Sequence, residues 1–141
     1  MSARIRRSPG EPLAVTAADL VAEANALVPP LSVSEAAALL DVDAVLFVDI
    51  RESKEQERLG TIPGAYRAPR GMLEFWVDPA SPYYRPALDD GRRLVLYCGS
   101  AWRSALAAAA LQRMGRDDVT HIDGGFSAWQ AAGLPVTPHA G

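Results

Sequence analysis

The sequence predicts an α/β domain with a central parallel sheet of about five strands and helices on both faces. Two continuous apolar runs, residues 44–50 (AVLFVDI) and 93–97 (RLVLY), are typical of strands that are buried on both faces. Helical segments lie between and after these runs, and strands that alternate with helices favour a parallel sheet. A length of 141 residues suits one domain with one substantial core.

The N-terminal half is expected to contain two capped helices, a strand and a third helix. The strand covers 44–50, and a polar helix over 52–60 is expected to end at Gly60, because glycine readily adopts the left-handed conformation that ends many helices. In two places a hydroxyl side chain precedes an acid by three positions, as at a capped helix start: Thr16 with Asp19, and Ser32 with Glu35.

The C-terminal half is expected to continue the same alternation of strands and helices. Its apolar spacing and its glycine and proline positions divide it into short elements. In chain order these are a strand at 66–68, a helix at 71–77, a loop at 78–91, a strand at 93–97, a helix at 104–114, a strand at 118–122 and a helix at 124–133.

Composition and charge exclude several classes of protein. A net charge of −3 argues against a dedicated nucleic-acid binder. No apolar run approaches the roughly 18 residues of a membrane helix, so we expect a cytoplasmic protein with no nucleic-acid or membrane partner. The folded domain is expected over 13–137, between a flexible N-terminal arm at 1–12 and a C-terminal tail at 138–141 that contains His139.

The only cysteine in the sequence, Cys98, lies between a predicted buried strand and a predicted helix. A single cysteine excludes an internal disulfide and a multi-thiol metal cluster. Ligands of parallel sheets bind at the carboxyl ends of strands. A helix N-terminus also favours negative charge, because its first N–H groups have no partner within the helix. This position predicts a reactive thiolate, although a free cysteine is also common as a small buried hydrophobic residue.

Four segments, in chain order, resemble the rhodanese family. CGSAWRS at 98–104 is similar to the active-site loop of that family, in which a cysteine begins a six-residue loop that ends in arginine or a similar residue. The other segments are LFVDIRESKE at 46–55, GTIPGAYRAP at 60–69 and HIDGGFSAWQAAGLPV at 121–136. The resemblance extends from about Leu31 to Val136 and implies a single rhodanese-like domain.

The resemblance implies a sulfurtransferase that needs no cofactor and no metal. Cys98 would take sulfane sulfur from thiosulfate, a persulfide or a protein donor, carry it as a persulfide, and pass it to cyanide or a thiol. A protein donor or acceptor would act in trans. The loop that would bind the substrate and the persulfide comprises Gly99, Ser100, Ala101, Trp102, Arg103 and Ser104.

Several charged residues near this loop are candidates for binding or support. Arg103 would either bind an oxyanion or brace the loop, and both roles stay open. Asp49 and Arg51, at the end of the neighbouring strand, would form a structural ion pair beside the loop. Arg67 and Arg70 follow the IPGA turn and are candidates for the rim of the pocket.

The composition of the loop predicts which donor it prefers. A dianionic donor needs fixed positive charge to replace its lost hydration. The loop supplies one arginine, and Trp102 offers an apolar wall, so we expect poor use of thiosulfate. Ala101 stands where the family often has glycine, and a positive φ at that position would cost on the order of 1 kcal/mol.

Three alternative functions stay open. The first is a non-enzymatic rhodanese-like module that binds a partner or carries sulfur, and the second is a redox sensor in which Cys98 is oxidised. The third is a cysteine phosphatase, which loop length disfavours: four residues separate Cys98 from Arg103, against five in the related phosphatases. His121, in the middle of a predicted strand, is expected to be structural.

Overall fold

Strands and helices alternate along the chain in the computed structural model, which describes residues 6–138. Part of the predicted N-terminal arm and most of the predicted tail, with His139, lie outside these residues. Within them the strands are β1 (Val45–Asp49), β2 (Tyr66–Arg67), β3 (Arg93–Tyr97) and β4 (Val119–His121). The α-helices are α1 (Ala17–Leu27), α2 (Val33–Ala37), α3 (Ser53–Leu59), α4 (Leu73–Val77), α5 (Trp102–Arg113) and α6 (Gly125–Ala131).

The four strands form one parallel sheet in the order β2-β1-β3-β4. The expectation of about five strands is therefore too high by one within the described residues. Where a further edge strand would lie, Leu31 makes a single parallel bridge to Ile122. The segment cannot extend this pairing, because Pro29 and Pro30 lack N–H donors and Ser32 already caps α2.

The two faces of the sheet carry separate apolar clusters, as the continuous apolar runs predict. Leu94 and Leu96 of β3 face one cluster, which includes residues of α4 and α5. Val95 faces the other, where Trp129 of α6 is fully buried. Side chains alternate between faces along a strand, so helices cover β3 on both sides and its carboxyl end is held firmly in place.

The helix starts agree with the capping patterns except at α5. Thr16 and Ser32 each accept a hydrogen bond from the backbone N–H three residues ahead, so both predicted capping boxes are confirmed. α5 begins at Trp102, two residues before the predicted start at 104, because Ala101 adopts a left-handed conformation and serves as its N-cap. No helix within residues 6–138 is long and apolar enough to cross a bilayer.

A buried polar cluster joins the carboxyl ends of β1 and β3. Arg51 and Asp49 form an ion pair at 2.8 Å, and both side chains are fully buried. The Tyr97 hydroxyl donates to Asp49 Oδ2 at 2.9 Å and accepts the N–H of Ile62 at 3.0 Å. The Arg51 guanidinium also stacks on Phe126, 4.1 Å from its ring centre. Burial, reinforced by the charge of Asp49, raises the pKa of Tyr97, so its hydroxyl keeps its proton.

Replacing Tyr97 by phenylalanine tests this cluster. Tyr97→Phe leaves the buried Ile62 N–H without its acceptor and removes a donor from Asp49, so we expect the free energy of unfolding to fall by about 1–3 kcal/mol. Tyr84→Phe is the matched control, because it removes an exposed hydroxyl bonded to Asp89, and should cost less than about 0.5 kcal/mol. Equal losses in chemical denaturation would contradict the proposed importance of the cluster.

Candidate active site

The loop at the carboxyl end of β3 surrounds the sulfur of Cys98. Cys98 directly follows β3, and its side chain is fully buried. The chain then turns through Gly99 and Ser100 and enters α5 at Trp102. The sulfur therefore lies beneath the first turn of a 12-residue helix, at the strand end where ligands bind in parallel sheets.

Two backbone N–H groups point at the sulfur. The Ala101 N–H donates to Cys98 Sγ at 3.2 Å, and the Ser104 N–H donates at 3.4 Å. Ala101 reaches this position with φ +85°, and it is the one non-glycine residue with positive φ among the described residues. Both donors belong to the N-terminal end of α5, so the helix dipole adds to their effect on a negative sulfur.

The start of α6 holds the opposite side of the loop. The N–H groups of Phe126 and Ser127 donate to the carbonyls of Cys98 and Gly99 at 2.8 and 3.0 Å. A Cβ on Gly125 would lie 2.6 Å from the Cys98 carbonyl oxygen, and Gly125 has φ +60°. Glycine is therefore required at 125, and the Gly124–Gly125 pair allows α6 to approach the loop this closely.

Arg103 is held by Glu55 of α3. Its Nη1 and Nη2 donate to the two carboxylate oxygens at 2.6 and 2.9 Å. The hydrogen bonds from Arg103 lower the pKa of Glu55 to about 2, against the cost of burial. The same pairing, together with the nearby Cys98, raises the pKa of Arg103. Both groups are charged at neutral pH, so the positive charge at the loop is already compensated.

Ser104 brings two further side chains close to the sulfur. Its Oγ lies 3.6 Å from Cys98 Sγ and 3.1 Å from Nδ1 of His121. His121 in turn contacts Asn25 of α1, with 2.8 Å between Nε2 and Oδ1. Burial lowers the pKa of His121 to about 4, although Asp123 opposes this shift. The imidazole is therefore neutral at pH 7.

The other site residues predicted from the sequence differ in how far they lie from the Cys98 sulfur. Asp49 and Arg51 are in the buried ion pair behind the loop, on the strand next to β3. Arg70 pairs with Glu74 at 2.6 Å, and Arg67 is exposed. Ser100 and Trp102 are the exposed residues of the loop. Residues 6–138 hold no cluster of side chains suited to a metal ion.

Three residues near the sulfur are not among the site residues predicted from the sequence: Glu55, Asn25 and His121, for which the expectation is a structural role. Glu55 belongs to a helix that reads only as a polar segment, and Asn25 lies far away in the chain. Glu55 contacts the loop through Arg103, whereas Asn25 contacts His121 of β4, which lies behind Ser104. Glu55 is the last residue of the LFVDIRESKE segment, but no local pattern singles it out, and none marks Asn25.

The site can stabilise a negative sulfur by dipoles rather than by free charge. The Cys98 sulfur has two N–H donors and a hydroxyl within reach, while the neighbouring arginine is paired with a carboxylate. A preorganised donor set of this kind is what nucleophilic sulfur chemistry requires.

Comparison with known proteins agrees with the predicted family and fold. A family model described as "Rhodanese-like domain" matches residues 32–132. A protein named sulfurtransferase from Allochromatium vinosum is 34% identical over 103 residues, which span 73% of this chain and 88% of that protein. An uncharacterized protein from Synechocystis is 38% identical over 95 residues, which span 67% of this chain but only 48% of the relative.

A solved structure covers more of the chain. It is that of a protein of unknown function from Rhodopseudomonas palustris, called a possible tyrosine phosphatase. The two chains are 42% identical and superpose with a TM-score of 0.87, over 92% of this chain and 100% of the other.

The strain at Ala101 can be measured by substitution. Glycine adopts φ +85° without the clash that a Cβ causes, so Ala101→Gly should raise the free energy of unfolding by about 1 kcal/mol. Ala108→Gly, in the buried middle of α5, is the control and should instead destabilise the protein. A loss of stability in Ala101→Gly would show that the left-handed conformation carries no strain.

Proposed function

The chain belongs to the rhodanese family, and on that premise we propose that it is a sulfurtransferase in which Cys98 carries the transferred sulfur as a persulfide. The observation that carries the proposal is the pair of hydrogen bonds from the N–H groups of Ala101 and Ser104 to the Cys98 sulfur. These donors stabilise negative charge on the sulfur, and they remain available when a second sulfur is attached to it.

The reaction consists of two sulfur transfers, first from the donor to Cys98 and then from Cys98 to the acceptor. In the first, the Cys98 thiolate attacks the sulfane sulfur of the donor; a new S–S bond forms, and the old bond breaks with its electron pair on the departing group, which is sulfite when thiosulfate is the donor. In the second, cyanide or a thiolate attacks the outer sulfur and leaves as thiocyanate or as a persulfide. The Cys98 thiolate is thereby restored.

The charge at the loop favours a donor that is not a dianion. Arg103 is bound to Glu55 through both of its terminal nitrogens. A dianion would have to compete with this carboxylate for the guanidinium, and it would lose hydration with little charge in return. We propose a persulfide or a protein-borne sulfur as the preferred donor, with the exposed Trp102 at the mouth of the loop providing an apolar contact.

A cysteine phosphatase is the second candidate, because the Rhodopseudomonas relative is called a possible tyrosine phosphatase. A phosphatase loop needs its arginine free to hold the equatorial oxygens of a phosphate. Here the arginine is paired with Glu55, and four residues separate Cys98 from Arg103. Both features favour a single sulfur atom over a tetrahedral phosphate in this loop.

The mass of the intact protein after exposure to a donor tests the proposal. Incubation with glutathione persulfide should add the mass of one sulfur atom, and later cyanide should remove it as thiocyanate. Cys98→Ser should gain nothing while keeping the wild-type unfolding transition. A gain of sulfur by Cys98→Ser would contradict the mechanism, and release of phosphate from p-nitrophenyl phosphate by the wild type alone would favour the phosphatase.

Neutralising Glu55 should change the choice of donor. Glu55→Gln frees the charge of Arg103 for an anion, so the KM for thiosulfate should fall about fivefold, which corresponds to about 1 kcal/mol. The kcat/KM for glutathione persulfide should change much less. Glu57→Gln, which removes an exposed charge from the same helix, is the matched control and should leave both donors unaffected.

Comparing thiosulfate with glutathione persulfide distinguishes an effect of the Arg103 charge from general damage to the loop. If Glu55→Gln weakens the use of thiosulfate and of the persulfide equally, Glu55 only supports the loop, and the charge argument for donor preference is wrong.

A further inference from the structure

A chain of polar side chains runs from the buried sulfur to the surface of α1. Ser104 Oγ lies within reach of both the Cys98 sulfur and His121 Nδ1, at 3.6 and 3.1 Å. The other ring nitrogen of His121 contacts Asn25 at 2.8 Å. Cys98, Ser104 and His121 are buried, whereas Asn25 is partly exposed. The chain thus links a thiol without exposed surface to solvent at α1.

The partners in this chain fix the position of each proton while Cys98 is a thiol. The Asn25 oxygen can only accept, so His121 Nε2 carries the proton and Nδ1 has the lone pair. The Ser104 hydroxyl has two possible acceptors, Nδ1 at 3.1 Å and the Ala101 carbonyl at 3.3 Å. That carbonyl already accepts the N–H of Ala105, so the hydroxyl proton goes to Nδ1, and the Ser104 lone pairs accept the thiol proton of Cys98. Every polar atom of the chain has a partner in this arrangement.

When Cys98 loses its proton, the Ser104 hydroxyl has to donate to the sulfur instead of accepting from it. A negative sulfur needs the Ser104 hydroxyl as a donor, and Nδ1 of His121 would then be left buried without a partner, which is costly. Rotation of the Asn25 amide brings its NH2 group to Nε2. His121 can then carry its proton on Nδ1 and donate to Ser104, and all the atoms are satisfied again while the imidazole stays neutral.

We propose that His121 is a positioning residue for the Cys98 thiolate: by changing its tautomer it turns the Ser104 hydroxyl from an acceptor of the thiol proton into a donor to the negative sulfur. The proton leaves Cys98 through Ser104 to Nδ1, and His121 releases its Nε2 proton on the Asn25 side. One proton is lost in total, and neither Ser104 nor His121 ends with a charge.

The charged groups around this chain act from other directions. Arg103 and its partner Glu55 lie on the loop side of the sulfur. Asp123, two residues after His121, is the acidic group that acts on the imidazole. Tyr97 belongs to the core on the opposite face of the sheet from Cys98. None of these groups hydrogen-bonds the Ser104 side chain, whose partners are Cys98, the Ala101 carbonyl and His121. Of the last two, only His121 can change from acceptor to donor, so it is the group that can reverse the hydroxyl.

The test is the pH at which Cys98 becomes a thiolate. Ultraviolet absorbance of the thiolate, taken as the difference from Cys98→Ser, reports one group because the chain has one cysteine. His121→Leu removes the donor to Ser104 and should raise the midpoint by about one pH unit. His121→Asn keeps an amide that can donate or accept near the Nδ1 position, and should show less than half of that shift.

Two further variants separate positioning from a general loss of packing. In a Ser104→Ala background, His121→Leu should produce no additional shift, because nothing remains to transmit the effect. Thr120→Val, which removes a partly buried hydrogen bond from β4 to the Pro29 carbonyl, should leave the midpoint of the wild type unchanged. A shift in Thr120→Val, a persisting shift in the Ser104→Ala background, or no shift in His121→Leu would overturn the proposal.

The tautomer of His121 can be measured in the wild-type protein, so this measurement does not depend on how the His121 variants fold. Nitrogen-15 spectra of the imidazole should show the proton on Nε2 at low pH and on Nδ1 after Cys98 has titrated, and no such exchange in Cys98→Ser. The chain has two histidines, and a His139→Gln variant identifies the signal of His121. A tautomer that stays constant through the titration would overturn the proposal.

His121's role rests on the proposed use of Cys98 as the reactive thiol, but neither measurement needs a sulfur donor. If the protein accepts no sulfur and the tautomer still follows the thiol, the proposed function fails and the positioning role stands. If sulfur is transferred while the tautomer is constant, the proposed function stands and the positioning role of His121 fails.

Discussion

The contact between α6 and the end of β3 determines the rest of the site. Because Phe126 and Ser127 bind the carbonyls of Cys98 and Gly99, these two peptide groups turn their oxygens towards α6. This anchors the start of the loop, and further along it the N–H groups of Ala101 and Ser104 meet the sulfur. The close approach depends on glycine at 125, so a residue 27 positions after the cysteine sets the shape of its loop.

Positive charge near the sulfur is compensated on both sides of β3. Arg51 is neutralised by Asp49 in the core, and Arg103 is neutralised by Glu55 at the loop. Besides the paired Arg103, what acts on a negative sulfur is a set of backbone and hydroxyl dipoles, whose strength depends on direction and falls quickly with distance. Such a site discriminates by the position of one sulfur atom more than by the total charge of the donor.

Elements formed by neighbouring residues could be predicted from the sequence, and contacts between distant residues could not. The bounds of β3 and the capping boxes at Thr16 and Ser32 follow from local patterns, and they agree with the structure. The early start of α5 depends on the positive φ of Ala101, which only the resemblance to a family with glycine at this position brings into question, since alanine itself does not favour it. The partners of Arg103 and His121 come from α3 and α1, and their identity requires the tertiary structure.

The strained residue is held by the helix that it begins. The carbonyl of Ala101 accepts the N–H of Ala105 at 3.0 Å and lies 3.3 Å from the Ser104 hydroxyl oxygen, so the first turn of α5 fixes this peptide from one side. Its N–H is directed at the sulfur on the other side. An unfavourable backbone conformation persists only where the surroundings determine it in several independent ways. Here these restraints meet at the residue that supplies a donor to Cys98, which links the strain to the chemistry of the sulfur rather than to the packing of the helix.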